Sequence, residues 1–288
     1  MPLILDRRSF LRRSAIGAAG ASLGNWSFAQ SPSTVRFALL SDTHISRNAF
    51  DRFRGFSPHE NLAKCINQMG DLKFELLLVN GDLARQQGDV LDYLQFNSFI
   101  EPLTKRTPVL LTLGNHDHRI NARATLFDHA GTRQAVEDRL VSTVETAPVL
   151  FIFLDSLLTT NVPEGQLGDK QRQWLANYLD DKTGKPTVVF VHHNPASEAL
   201  LDTEKLLEIL TPRSSVKALI FGHQHVYHFD ERNKLHLINL PATSYNFADG
   251  NPVGWVQATF DSTGAAFVLH AVAGESGGDG KTTKLAWR

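Results

Sequence analysis

Five times along the chain a short apolar run ends abruptly in residues that pack poorly. Phe37–Leu40 leads into Ser41-Asp42-Thr43-His44, Leu76–Val79 into Asn80-Gly81-Asp82, and Pro108–Leu113 into Gly114-Asn115-His116-Asp117. Val188–Val191 leads into His192-His193, and Ala218–Phe221 into Gly222-His223-Gln224-His225. Continuous apolar runs of this length predict strands covered on both faces, and in α/β sheets ligands collect beyond the carboxyl ends of such strands. The five polar ends are therefore expected to converge on one site.

Between the runs the pattern changes to helical spacing. Ser57-Pro58-His59-Glu60 predicts a helix start, with Ser at the N-cap, Pro at the first position and Glu placed to close a capping box. Leu62, Cys65, Ile66 and Met69 make one apolar stripe before Gly70 stops it. Further helices are expected over Asp89–Phe99, limited by Pro102, and over Asp169–Leu179 and Asp202–Leu210. Val149–Leu154 reads as another strand; helix-like spacing occurs at Val136 and Leu140. Leu235–Leu240, Val253–Phe260 and Ala265–Ala273 predict antiparallel strands, and the Gly/Lys-rich stretch from Gly274 predicts a mobile tail, 274–288. Alternating strands and helices favour an α/β fold in a single domain, 30–273.

Composition excludes several classes. The 288 residues carry 29 Lys and Arg against 30 Asp and Glu, so there is no basic excess of the kind a nonspecific polyanion binder shows. Nucleic acid is not expected as the main partner. Cys65 is the only cysteine, which rules out an internal disulfide and leaves stability to the core. Asp6-Arg7-Arg8-Ser9-Phe10-Leu11-Arg12-Arg13, then a Gly/Ala-rich stretch from Ala15 to Leu23 and Ser27-Phe28-Ala29, resembles a twin-arginine export signal, 1–29. The stretch is shorter than the roughly 18 apolar residues that suggest a span, so no permanent membrane anchor is expected. The resemblance implies the twin-arginine export machinery as a partner and a periplasmic or secreted destination.

Asp, His and Asn supply oxygen and imidazole donors suited to Mn, Fe or Zn, and the absence of cysteine among them argues against a structural zinc site. They predict a two-metal hydrolytic centre. Asp42 and His44 are two apart, as are His223 and His225, so in extended chain each pair would point to one side and grip one metal.

The ordered motifs D-x-H, G-D, G-N-H-D, H and G-H-x-H resemble those of the calcineurin-like metallophosphoesterases. The surrounding residues are similar to the class III cyclic-nucleotide phosphodiesterase branch: Gly81-Asp82-Leu83-Ala84 with Gly88 and Tyr93, Arg119, Gln166-Leu167-Gly168 with Gln171 and Trp174-Leu175, and Pro241-Ala242-Thr243-Ser244. The resemblance implies a four-layer α/β/β/α sandwich of two mixed sheets flanked by helices. It implies that Asp42, His44 and His225 hold one ion, Asn115, His192 and His223 a second, and that Asp82 bridges them, the two ions being divalent or trivalent. His193 is the alternative to His192.

A hydroxide shared by the ions would attack phosphorus, and His116 would donate a proton to the leaving oxygen with Asp117 orienting it. Arg119 and His193 are candidates for contact with the phosphate of the substrate. The substrate class implied is a small phosphodiester, of the cyclic-nucleotide or glycerophosphodiester type. A phosphomonoesterase or nucleotidase with the same centre, and a non-enzymatic phosphoester- or metal-binding protein, are the competing readings. His118, His228, His236, His59 and His129 are read as structural, and the loop 47–56, with Phe50, Phe53 and Phe56, as locally packed or as a flap over the site.

Overall fold

The computed structural model describes residues 33–126, 131–182, 184–195 and 197–288. The export-signal expectation, 1–29, lies outside the described residues, as does His129. Strand β1 (Thr34–Leu40) is followed by α1 (Pro58–Met69), β2 (Leu76–Asn80), α2 (Val90–Thr104), β3 (Val109–Thr112) and α3 (Arg119–Thr125). Then come β4 (Thr132–Arg133), β5 (Ser142–Glu145), β6 (Leu150–Phe153), α4 (Asp169–Asp181), β7 (Thr187–Phe190), α5 (Thr203–Leu210) and β8 (Val216–Phe221). The chain closes with β9 (His228–Arg232), β10 (Leu235–Asn239), β11 (Pro252–Asp261), β12 (Gly264–Gly274) and β13 (Thr282–Ala286).

These strands form two mixed sheets, ordered β13-β12-β11-β1-β2-β3 and β4-β5-β6-β7-β8-β10-β9. Although the β1 run is continuously apolar, its residues divide by the pleat. Val35, Phe37 and Leu39 face the second sheet, packing with Phe151, Phe153 and Phe190, while Ala38 and Leu40 pack under α1 and α2 against Leu62, Cys65 and Phe96. On the far side Ile152, Val189 and Leu219 pack with Leu175 of α4 and Leu206 and Leu210 of α5. The result is the expected four-layer α/β/β/α sandwich. No helix among the described residues is long and apolar enough to cross a membrane.

Local chemistry sets the element ends. Ser57 Oγ accepts from Glu60 N at 3.3 Å and Pro58 opens α1, but the Glu60 carboxylate pairs with Arg52 at 2.6 Å, so only half of the capping box forms. Helix α2 runs past Pro102, which sits in its last turns and, lacking an N–H, removes one helical hydrogen bond there without ending the helix. The helix in the 118–144 region is α3, and Val136–Leu140 lies in turns before β5.

The carboxyl-terminal part departs most from expectation. Strand β10 is parallel to β8, with an antiparallel β9 beside it. Residues 274–288 are not a mobile tail: Thr282–Ala286 is an edge strand registered on β12, and Leu285 and Trp287 pack against the core between the sheets. The fold therefore extends through Trp287.

Candidate metal centre

The parallel strands β1, β2 and β3 of one sheet and β7 and β8 of the other all end at the same edge of the sandwich, and the loops beyond them meet. Asp42 follows β1. Its carboxylate accepts from Ser41 Oγ at 2.5 Å and from His223 N at 3.1 Å, which joins the first motif to the fifth. Asp82 follows β2 and accepts from His116 N at 2.8 Å, joining the second to the third. Asp42, His44, Asp82 and His192 are fully or almost fully buried.

The side chains converge in three overlapping groups: Asp42, His44 and His225; His44, Asp82 and His116; and Asp82, His192 and His223. Asp82 Oδ2 lies 3.6 Å from His44 Nε2 and 3.4 Å from His192 Nε2, so one carboxylate reaches both sides. Asn115 Oδ1 lies 3.0 Å from His223 Nδ1, adding an oxygen donor to the third group. Of the two adjacent histidines, His192 faces the carboxylates.

The convergence does not come from a pleated strand. Asp42, His44, Asp82, His223 and His225 all have φ between 45° and 71°. That left-handed region costs a non-glycine residue roughly 1–3 kcal/mol, and such residues cluster where function requires a particular side-chain direction. As a consequence His223 and His225 do not share a group: His225 joins Asp42 and His44, while His223 joins Asp82 and His192.

Two motif glycines leave room for the donors. A Cβ on Gly114 would lie 2.2 Å from Asp82 Oδ1 and 2.6 Å from His192 Nε2, and one on Gly222 would lie 2.6 Å from Asp42 Oδ2.

Hydrogen bonds fix the histidine tautomers. The Nδ1 atoms of His44, His192 and His225 face the carbonyls of Arg85 (3.3 Å), Asn80 (2.8 Å) and Tyr245 (2.6 Å). A carbonyl only accepts, so each Nδ1 carries a proton and Nε2 is the nitrogen turned inward, bare whenever the ring is neutral. His44 Nε2 and His225 Nε2 then stand 3.3 Å apart, lone pair toward lone pair, and His192 Nε2 is buried with no hydrogen-bond partner.

The electrostatics ask for positive charge at this point. Burial pushes His44 down to about 3 and His223 down to about 4, so both are neutral at pH 7. Burial also opposes charge on His192, but Asp82 and Asp42 outweigh it and raise the imidazole to about 10. Burial works against both carboxylates as well, yet His192 beside each, with His225 beside Asp42 and His44 beside Asp82, holds them below the usual range. Bare imidazole nitrogens, an orphaned Nε2, two buried carboxylates and an amide oxygen are a donor set that fits transition-metal cations.

Three expectations change. Asp117 does not orient His116: its buried carboxylate accepts from Gly114 N (2.9 Å), Leu83 N (3.1 Å), Ala84 N (3.2 Å) and Tyr93 Oη (3.1 Å), tying the second motif to the third. The carbonyl of Gln86, 3.1 Å from His116 Nδ1, orients that ring instead. Arg119 is turned from the site by a two-pronged pair with Asp155 (2.7 and 2.9 Å) and a bond to the Leu157 carbonyl. His193 is 0% exposed, packs behind His223 and holds Ser156 Oγ at 2.7 Å, so it meets no open space. Neither Arg119 nor His193 lines the cavity over the centre.

That cavity, of about 460 Å³, is lined by the metal-type residues His44, Asp82, Asn115, His116, His223 and His225 and, beside them, by Pro163, Gln224, Val226, Tyr245 and Phe247. Tyr245 and Phe247 were not singled out from the sequence, though they follow directly on the Pro241–Ser244 stretch. The loop 47–56 reaches them: Phe53 packs on Tyr245 with ring centroids 4.6 Å apart, and Arg54 donates to the Phe247 carbonyl at 2.7 Å.

Fold and site together define a metal-dependent phosphoester hydrolase. The family model for calcineurin-like phosphoesterases matches residues 35–227, and the chain belongs to that family. It is 27% identical over 223 residues to the 3′,5′-cyclic adenosine monophosphate phosphodiesterase CpdA of Haemophilus influenzae, covering 74% of this chain and 78% of that protein. It is 30% identical over 234 residues to a probable cyclic nucleotide phosphodiesterase of Synechococcus, covering 75% and 85%. A probable glycerophosphodiester phosphodiesterase of Arcobacter nitrofigilis is 24% identical, over 73% of this chain and 78% of that one. Among solved structures, a dimetal phosphatase from Danio rerio shares the fold with a TM-score of 0.69 at 14% identity, over 88% of this chain and 99% of that one.

Proposed function

We propose that the protein is a phosphodiesterase acting on a small diester of the cyclic-nucleotide or glycerophosphodiester class, with two metal ions of the Mn, Fe or Zn type. The observation that carries the reading is Asp82, whose one carboxylate oxygen stands between His44 and His192 and so between two donor groups. The relatives, which act on diesters by name, supply the substrate class.

Asp42, His44 and His225 would hold one ion, Asn115, His192 and His223 the other, with Asp82 between them. Bound there, the ions would polarise phosphoryl oxygens and lower the pKa of bound water toward neutrality. The remaining work belongs to side chains. Because the Gln86 carbonyl keeps one proton on His116 Nδ1, a second proton on that imidazole sits on Nε2, at the cavity face, and from there it passes to the departing oxygen. Asp117, through four backbone and hydroxyl donors, holds the loops that carry Asp82 and Asn115 in register. Metal-reconstituted protein assayed on bis-p-nitrophenyl phosphate, p-nitrophenyl phosphate, cyclic AMP and glycerophosphodiesters tests the reading: diesters are expected to show the higher kcat/KM, and a clear preference for monoesters would overturn it.

We further propose that the protein leaves the cytoplasm by twin-arginine export, a reading supported by Arg7-Arg8-Ser9-Phe10-Leu11-Arg12. Ligands spread from Asp42 to His225 exist as a site only once the sheets have closed, so metal binding is coupled to folding and loading precedes export. Fractionation after replacing Arg7 and Arg8 with Lys should find active precursor inside the cell; processed protein in the periplasm would contradict it.

A further inference from the structure

The cavity is not finished by the metal-type residues, and its second wall has a chemistry of its own. Phe247 lies with one face on the His225 ring, centroids 4.4 Å apart at 27°, yet the residue remains 50% exposed. The residue also lines the cavity. The ring is held in place rather than free: Arg54 binds its carbonyl at 2.7 Å, and Asn246 Nδ2 donates to the Asn251 carbonyl at 2.6 Å across the same loop. Tyr245 meets Phe247 edge-on at 77° and is backed by His44 and Phe53, completing an aromatic corner.

One polar group on this wall has a defined direction. Asn239 Nδ2 donates to the carbonyls of Leu240 (3.0 Å) and Gly222 (3.4 Å), which leaves Asn239 Oδ1 as an acceptor. Asn194 Nδ2 fills it at 3.2 Å and also donates to Gln224 Oε1 at 2.6 Å. With its oxygen committed to Asn194, Gln224 is left to present its NH₂ group as donor on the wall of the cavity.

We infer that Phe247, Tyr245 and Gln224 form a nucleobase shelf, on which a planar base stacks against the half-exposed ring of Phe247 while Gln224 Nε2 donates to an acceptor on the base edge. This rests on the phosphodiesterase reading above and narrows it to nucleoside cyclic phosphates. A flat apolar face beside a single aimed donor matches a base, whereas a glycerol headgroup has no plane to cover the ring. A quaternary ammonium headgroup would also seek aromatic faces, but the Arg85 guanidinium already lies 5.0 Å over Phe53, next to Tyr245, and places like charge at that corner.

The test is steady-state kinetics of the metal-reconstituted protein with cyclic AMP and with glycerophosphocholine. Phe247→Ala should raise KM for cyclic AMP roughly 5- to 100-fold, the range that loss of one base-stacking contact gives, with kcat changed less than KM. Phe247→Trp should restore KM. Gln224→Glu, which turns a second acceptor toward the base, should also raise it. An equal or larger rise in KM for glycerophosphocholine, or no rise for cyclic AMP, would overturn the shelf and leave the phosphodiesterase reading standing. Should the wild type hydrolyse p-nitrophenyl phosphate and neither diester, the phosphodiesterase reading fails. The shelf is then read from competitive inhibition by 5′-AMP: a Ki weakened by Phe247→Ala supports it, and an unchanged Ki refutes it.

Discussion

Replacing Asp117 with Asn separates a residue that builds the site from one that takes part in the reaction. The carboxylate receives Leu83 N, Ala84 N and Tyr93 Oη on Oδ1, and Gly114 N at 2.9 Å on Oδ2. An amide keeps an acceptor on one side only. In the better orientation its oxygen replaces Oδ1, and its NH₂ then faces the Gly114 N–H, leaving buried donors without acceptors. Each such group costs about 1–3 kcal/mol. Part of that is offset, because burial and the charge of Asp82 already raise Asp117 to about 6, so the folded protein gives up a carboxylate that was disfavoured as an anion. A net loss of about 2–4 kcal/mol follows, or a fall in Tm on the order of 5–15 °C for a chain of this size. Because the two loops it ties carry Asp82 and Asn115, metal affinity should fall in parallel. Calorimetry of metal-free protein and metal titration measure the two effects. A variant with wild-type Tm and metal affinity but a hundredfold lower kcat would refute this account and return Asp117 to the reaction itself.

His116→Ala should keep its metals and lower kcat by about 10²–10⁴-fold, the range for loss of a general acid, as single-turnover rates would show. Arg119→Ala should act on stability: it strands the fully buried Asp155, at a cost of about 3 kcal/mol, while KM stays near wild type. A tenfold rise in KM with unchanged Tm would instead make Arg119 a phosphate ligand.

The edge of the sandwich that carries the chemistry was legible because each strand there announces itself twice, by an apolar run and by the polar residues that end it. The side chains beyond were legible as a set, yet their geometry was not. The spacing of His223 and His225 suggested a shared metal through strand alternation, and the left-handed backbone at both residues sends them to different groups instead. The fates of Arg119 and His193 depended on Asp155 and Ser156, partners 36 and 37 residues away, which no local pattern reveals. Strands β9 and β13 were missed for a different reason. Edge strands such as His228–Arg232 and Thr282–Ala286 carry charge and Thr where a central strand carries apolar residues, which protects the edge from pairing with other chains and also erases the signal.

The central claim is that one carboxylate, Asp82, serves two metal sites. Metal content per folded chain, measured by plasma mass spectrometry after reconstitution and desalting, tests it most directly. The account predicts about two ions for the wild type and for His116→Ala, and loss of most of both for Asp82→Ala. Two ions retained by folded Asp82→Ala, or one lost by His116→Ala, would contradict it.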